Sequence, residues 1–265
     1  MHHRSHTALG ALLLFLAPAA LSAQDRQSER AFTLNERVPN GAWIRVRNVN
    51  GEIRVGASSS DRVEITATKS WRRGNPRAVR IESRKSSDGS ILVCVYWTEN
   101  ATCSENGYSS HDERGSRNND VAVEFEVRVP KGVNVGVWTV NGQVRVDGAT
   151  SEVVAGTVNG GVDASSSGGP VHGSTVNGSV HARMGRLTGD DDLDFSTVNG
   201  SVVAEFGSDI DANVELSTVN GRFQTDWPVT ITGRVDPRHL RATLGKGGRR
   251  IRLTTVNGNV ELRKR

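Results

Sequence analysis

Short segments in which apolar and polar residues alternate fill the chain from residue 32 to its end. In the segments 63–68 and 121–129, for example, every second residue is apolar, and Gly, Asn and Pro stand between such segments. A period of two places successive side chains on opposite faces of a strand, so that one face is buried and the other is solvated. The pattern predicts an all-β protein.

One tetrapeptide, Thr-Val-Asn-Gly, recurs six times in the second half of the chain, and a looser copy ends at Asn50-Gly51. The asparagines of the six copies are separated by 18, 18, 22, 21 and 37 residues. Such a period is typical of repeat architectures. Because the last step is close to two periods, we expect a degenerate repeat at residues 233–248. We also expect four or five irregular coils between Asn50 and Asn141.

The Asn-Gly pair of each copy is predicted to form a tight corner of the backbone. Glycine adopts the positive φ that a corner demands, while asparagine tolerates left-handed geometry and forms local hydrogen bonds. Apolar residues flank each copy with a period of two, so each corner joins two short, half-buried strands. The predicted corner residues are Asn50, Gly51, Asn141, Gly142, Asn159, Gly160, Asn177, Gly178, Asn199, Gly200, Asn220, Gly221, Asn257 and Gly258.

Two architectures satisfy this pattern. In an antiparallel meander, each Asn-Gly would be the two-residue turn of a β-hairpin. In a parallel solenoid, each unit of 18–22 residues would be one coil, and every corner would stack on the next at about 4.8 Å. The near-identity of the corners favours the solenoid, because a stacked column gains from like neighbours whereas hairpin turns need not resemble one another.

The repeats also resemble a known family. Together with the segments 38–55 (VPNGAWIRVRNVNGEIRV) and 127–135 (VRVPKGVNV), they are similar to the bacterial putative adhesin family of exported β-strand repeat proteins and its head-GIN-like relatives. The resemblance covers roughly Phe32 to Arg263. It implies a right-handed parallel β-solenoid with a less regular N-terminal β region. It implies no activity and no catalytic residue.

The first residues predict export. A basic start precedes an apolar stretch from Ala8 to Leu21, and the small residues before Gln24 are typical of a cleavage site. We therefore expect a signal peptide at residues 1–23, a flexible segment at 24–31 and a single β-repeat domain at 32–265, with regular coils from about residue 133. The mature chain, which has no further apolar segment long enough to span a membrane, is expected in the periplasm or at the cell surface.

The only two cysteines, Cys94 and Cys103, lie in the exported part of the chain. An oxidising compartment permits a disulfide, and the return of the chain after the strand-like run 91–97 brings a bridge within reach. We predict a structural disulfide between them. A thiol catalyst or a metal pair is disfavoured, because the spacing is not Cys-x-x-Cys and no histidine stands near.

Candidate chemistry is sparse. The acidic run Asp190–Asp192 lacks the calcium-loop pattern, no Gly-x-Ser-x-Gly elbow surrounds the serines at 165–167, and outward positions of the repeats are mixed in charge. We expect no catalytic residue, no metal and no cofactor. The prediction is a non-enzymatic, adhesin-like module that binds an envelope protein, glycan or anionic surface polymer, and not nucleic acid. The alternative is a carbohydrate-active β-helix enzyme.

Overall fold

The alternating pattern forms two long β-sheets. The computed structural model describes residues 26–110, 119–187, 189–207, 209–229, 236 and 238–265. Apart from one 3-10 turn at Pro76–Ala78, the elements assigned there are strands, so the all-β prediction is confirmed. The described part of the chain contains no helix with the length and apolarity needed to cross a bilayer. The predicted signal peptide lies outside the described residues.

The strands are numbered in chain order. They are β1 (Gln27–Glu36), β2 (Trp43–Arg47), β3 (Ile53–Ala57), β4 (Val63–Trp71), β5 (Arg80–Lys85), β6 (Ile91–Tyr96), β7 (Thr102–Ser104), β8 (Gly107–Ser109), β9 (Ala122–Val129), β10 (Asn134–Trp138), β11 (Val144–Ala149), β12 (Val153–Gly156), β13 (Val162–Ser166), β14 (Val171–Ser174), β15 (Val180–Met184), β16 (Leu193–Ser196), β17 (Val202–Phe206), β18 (Ala212–Asn220), β19 (Phe223–Thr225), β20 (His239–Leu244), β21 (Arg249–Asn257) and β22 (Val260–Lys264).

Successive strands of the repeat region alternate between two ten-stranded sheets. Sheet A has the order β1-β4-β9-β3-β11-β13-β15-β17-β22-β19, and sheet B has the order β20-β18-β21-β16-β14-β12-β10-β2-β6-β5. Every pair of neighbours from β9 to β19 in sheet A is parallel, as is every pair from β18 to β6 in sheet B. The hairpin alternative is therefore wrong for the repeats, because Asn177 bridges Asn159 and Asn199 in parallel instead of closing a local hairpin.

The core is a thin layer between the two sheets. It consists mostly of valine, leucine, isoleucine and alanine from the inward positions of both sheets. In its C-terminal half, Phe195 and Phe206 are fully buried, and Trp227 packs edge-on against Phe206. The outward positions of the strands carry most of the polar side chains.

Among the described strands, antiparallel ones lie at three of the four sheet ends, whereas β19 ends sheet A in parallel with β22. At one end β4 pairs antiparallel with β9 and β1 with β4, while β5 pairs antiparallel with β6; at the other end β20 pairs antiparallel with β18. Such strands reverse the pairing direction at the edge of a parallel array, where an uncovered strand would invite further pairing. Residues 27–30, which belong to the segment 24–31 predicted to be flexible, pair with β4.

The repeats do not stack in chain order. β21 lies between β16 and β18, so the last Thr-Val-Asn-Gly copy separates the fourth from the fifth. The predicted degenerate repeat is wrong where it is described, because residues 239–244 form the antiparallel edge strand β20 instead of another parallel repeat. Asn50 bridges Asn141 directly, so the four or five coils expected between them do not intervene in the stack.

Candidate functional site

The Thr-Val-Asn-Gly copies stack in register along one edge of the molecule, which we call the corner column. From Asn159 onward, the side-chain amide of each asparagine donates to the side-chain oxygen of the preceding asparagine in the stack at 2.8 Å. The order of this ladder is Asn141, Asn159, Asn177, Asn199, Asn257 and Asn220. Asn50 lies beside Asn141 at the N-terminal end and donates instead to the carbonyl oxygen of Val121, at 2.8 Å.

The other residues of the motif also serve the stack. The buried threonine hydroxyl of each copy donates to the glycine carbonyl of its neighbour, as Thr175 does to Gly160 at 2.9 Å. A Cβ atom at Gly178 would collide with the same Gly160 carbonyl, and the equivalent positions Gly142, Gly160, Gly200, Gly221 and Gly258 meet a neighbouring glycine in the same way. The asparagine, threonine and glycine therefore make their contacts within the column.

The motif valines form an exposed apolar ridge on the corner column. Five of them are 37–49% exposed, which is unusual for large apolar side chains in the described residues: Val158, Val176, Val198, Val219 and Val256. Their even spacing follows from the parallel register of the asparagines beside them. The ridge is a consequence of the stacked motif, and no described residue packs a second layer over these five side chains.

The outer face of sheet B carries a straight line of residues across seven strands. From β2 to β18 the register aligns Arg47, Trp138, Gly156, Ser174, Ser196, Thr254 and Ser217. Six steps between parallel strands span about 29 Å. We call this line the outer track and its last four members, which all carry a hydroxyl, the hydroxyl row.

The hydroxyl row is accessible and largely unbonded. Ser174 is exposed, Ser196, Thr254 and Ser217 are half-buried, and of these four only Ser217 uses its hydroxyl in a side-chain hydrogen bond within the described residues. A parallel row of charged residues lies beside it on the same strands. This charged row contains His172, Asp194, Arg252 and Glu215 in register.

The charged row is neutralised at one end only. Glu215 is paired with Arg252 at 3.3 Å and with Arg241 at 3.2 Å. The hydrogen bond from Arg241 and the charges of the two arginines lower the pKa of Glu215. Asp194 and His172 line a shallow groove with Val154, Ser174 and Ser196.

A larger groove opens at the N-terminal end of the outer track, and we call it the Arg47 groove. Its lining is Trp43, Arg45, Arg47, Glu105, Asn106, Trp138, Glu152 and Val154. Trp138 lies close against two glycines of the sheet, since a Cβ at Gly136 or Gly156 would approach its ring to 2.9 or 2.8 Å. The Arg47 guanidinium stacks 3.6 Å from the centroid of Trp138, a cation–π arrangement.

Arg47 is held in an unusual environment for an arginine. It is only 9% exposed, its Nη2 donates to the carbonyl oxygen of Glu105, and its buried Nε has no hydrogen-bond partner among the residues that the structure describes. Burial, and secondarily the charge of nearby Arg45, lowers the pKa of Arg47 to about 10. The groove therefore contains a positively charged guanidinium that hydrogen-bonds a neutral carbonyl group and stacks on an aromatic ring.

The predicted disulfide between Cys94 and Cys103 is present, and it fixes a hairpin over this groove. The hairpin, formed by β7 and β8, is called the covering hairpin. Part of this hairpin lies in the segment 104–120, where the sequence suggests a loop. Residues 111–118 of that segment lie outside the described residues. Arg84 donates to the carbonyl oxygen of Cys103 and ties the same hairpin to β5.

The outer face of sheet A differs in that its charges are paired with one another. Glu52 accepts from both Arg54 and Arg145 at 2.5 Å, Arg183 lies 2.8 Å from Asp163, and His181 lies 2.8 Å from Glu205. Within the described residues there is no group of three or more His, Cys, Asp or Glu side chains placed to hold a metal ion. Asp192 of the acidic run is paired with Arg250 at 2.7 Å.

The sequence did not indicate the Arg47 groove. Trp43, Arg45 and Arg47 alternate along β2 and so share a face, which is a visible signal. Trp138 and Glu105 come from distant parts of the chain, and only the register of β2 with β10 and the disulfide bring them to Arg47.

Comparison with known proteins adds a likeness to several solved structures. A putative cell adhesion protein from Clostridium sporogenes shares 8% identity and a TM-score of 0.47, over 91% of this chain and 100% of that one. A putative adhesin from Bacteroides fragilis shares 12% identity and a TM-score of 0.26, over 91% and 99% of the two chains. No family model matches the chain, and no curated protein matches it.

Proposed function

We propose that this protein is an exported, non-enzymatic binding module of the bacterial cell envelope, built as a right-handed parallel β-solenoid. Its ligand is a linear envelope or surface polymer that lies along the outer track of sheet B. The parallel array supports the solenoid, because parallel crossover connections are right-handed in nearly all proteins. The disulfide supports export, since disulfides persist in oxidising compartments.

The observation that carries the proposal is the hydroxyl row. Ser174, Ser196 and Thr254 stand in register with no hydrogen bond made by their hydroxyls within the described residues. Hydroxyls both donate and accept, so they match the hydroxyls of a sugar chain without requiring charge. A repeat of about 4.8 Å offers the same contact again to each successive part of an extended ligand.

The contrast between the two outer faces supports binding on sheet B. On sheet A the carboxylates of Glu52, Asp163 and Glu205 are occupied by arginine or histidine side chains. A ligand there would have to replace existing side-chain contacts, whereas three of the four hydroxyls in the hydroxyl row make no hydrogen bond within the described residues. An extended, shallow track also suits binding along a polymer better than enclosing one reacting bond.

The test compares one bulky substitution on each face. We expect Ser196→Arg, in the middle of the hydroxyl row, to lower affinity for immobilised envelope polysaccharides at least tenfold. The matched control is Val203→Arg, which is also half-buried and outward but lies in sheet A between His181 and Glu261. It should leave binding unchanged.

The same samples separate binding from catalysis. Equal loss in both variants, or no polysaccharide bound by the unaltered protein, would contradict the proposal. Incubation of the unaltered protein with each bound polysaccharide should release no new reducing ends or unsaturated products. Their appearance would instead establish the carbohydrate-active enzyme.

A further inference from the structure

We propose that the Arg47 groove is a subsite for a carboxylate-bearing sugar unit, and that Glu105 of the covering hairpin is its internal competitor. This inference rests on the proposed function, because the groove lies at one end of the outer track and would hold one unit of the same polymer. It adds the chemical class of the ligand, an acidic glycan.

Within residues 26–110 and the other described parts of the chain, the guanidinium of Arg47 lacks the anionic partner that such a buried group normally has. Buried charges in proteins are ordinarily paired and fully hydrogen-bonded, because an uncompensated one costs several kcal/mol. Arg47 is nine-tenths buried, yet its Nε has no partner and its Nη2 bonds a neutral carbonyl. A planar carboxylate matches the Nε and Nη2 edge of a guanidinium with two parallel hydrogen bonds.

Glu105 places oxygen atoms where those of a ligand would go. Its carbonyl oxygen accepts from Arg47, and its carboxylate lies 3.4 Å from Nη1 of Arg45. The Glu105 side chain is 47% exposed and the Arg45 side chain 17% exposed, so the Glu105 carboxylate lies on the solvent side of the pair, where an entering ligand can replace it. The Cys94–Cys103 bond keeps the hairpin beside the groove after its tip is displaced.

The rest of the lining favours a sugar over a simple inorganic anion. Trp43 is half-buried, with the Arg45 guanidinium 4.5 Å from its ring centroid, and presents apolar surface at the groove. Asn106 and Glu152 add amide and carboxylate groups that can bond ligand hydroxyls. A small anion would use the arginines alone, whereas a uronic acid unit would use the whole lining.

Titration calorimetry with oligogalacturonates, and with neutral galactose oligomers of the same length, tests this assignment. We expect Arg47→Met to weaken oligogalacturonate binding at least tenfold and to leave the neutral oligomers unchanged. We expect Glu105→Gln to strengthen oligogalacturonate binding several-fold, since it removes the competing carboxylate. A purely structural role of Glu105 in holding the hairpin predicts no such gain.

Arg84→Met is the matched control for the covering hairpin. Arg84 also holds the hairpin through a backbone carbonyl, but it is not part of the groove lining. This variant should retain oligogalacturonate affinity, and thermal unfolding should verify that all three variants are folded. As a direct readout, the NMR signal of the Arg47 Nε–H should shift on adding digalacturonate.

The outcomes distinguish failure of the proposed Arg47 subsite from failure of the proposed outer track. If Arg47→Met and Arg84→Met lose affinity equally, or if Glu105→Gln weakens binding, the subsite is wrong. If acetate alone shifts the Arg47 signal as strongly as digalacturonate, the groove takes any carboxylate and the sugar assignment is overturned. If Arg47→Met acts as expected while Ser196→Arg has no effect, the subsite stands and the proposed outer track fails.

Discussion

The side-chain amide of Asn257 donates to the side-chain oxygen of Asn199 at 2.8 Å, although Asn220 lies between them in the chain. Asn220 in turn donates to Asn257 at 2.8 Å and occupies the end of the ladder. The C-terminal repeat therefore lies in the stack between two repeats that precede it in the chain. Identical motifs make this possible, because each copy offers the same hydrogen bonds to any neighbour.

Engineered disulfides test this order. In a background without Cys94 and Cys103, we expect Asn199→Cys with Asn257→Cys to cross-link readily, since in-register neighbours on parallel strands lie about 4.8 Å apart. Asn199→Cys with Asn220→Cys should remain reduced, because two strand steps are about 9.6 Å and exceed the reach of a disulfide. Non-reducing electrophoresis after mild oxidation measures both cross-links. Cross-linking of the second pair alone would show that the repeats stack in chain order.

A glycine of the corner column should tolerate no side chain. We expect Gly178→Ala to lower the free energy of unfolding by more than about 1 kcal/mol, because its Cβ would collide with the Gly160 carbonyl. Gly161→Ala is the control, since the nearest atom to its added Cβ is 3.5 Å away, an ordinary contact. Urea unfolding measures the difference, and equal effects in the two variants would contradict the stacked corner.

The disulfide should stabilise the protein and immobilise the covering hairpin. We expect Cys94→Ser with Cys103→Ser to lower the free energy of unfolding by roughly 2.5–3 kcal/mol, the loop-closure value for so short a loop. Hydrogen exchange should quicken at β7 and β8 while the amides of β12 and β14 keep their protection. Thiol titration of the denatured, unreduced protein should find no free thiol, and two would refute the bond.

Asp120 should make stability sensitive to acid. Its carboxylate accepts backbone N–H groups of Gly74 at 2.7 Å, Arg72 at 3.2 Å and Arg73 at 3.3 Å. These bonds, above all the one from Gly74, hold the pKa of Asp120 below its ordinary value of 3.8. A lowered folded-state pKa means that the contribution is complete above the unfolded-state value and is lost as pH falls through the folded-state value.

The measurement is the melting temperature of the unaltered protein and of Asp120→Ala as a function of pH. We expect the difference between them to be constant near neutrality and to shrink as the pH falls below about 3.8. A difference that grows in acid would show that the carboxylate is not stabilised by the three backbone N–H groups.

The sequence predicts the local features of this molecule well. Thr175, Asn177 and Gly178 repeat because each bonds or adjoins its counterpart, so the motif itself indicates a stacked corner. The exchange of repeat order is not predictable, because the local pattern of β21 would fit a position beyond β18 as well as the observed position between β16 and β18. The position of Arg47 beside Trp138 depends on that kind of long-range register, which alternation alone does not specify.

The dependence of affinity on ligand length tests the central claim most directly. The outer track runs about 29 Å from Arg47 to Ser217, so an acidic glycan bound along it makes new contacts with each added unit until it spans that distance. We predict that the Kd of oligogalacturonates falls progressively with chain length and then reaches a plateau, and that Ser196→Arg shortens the range over which it falls. A Kd that is already constant from the disaccharide onward would contradict binding along the track.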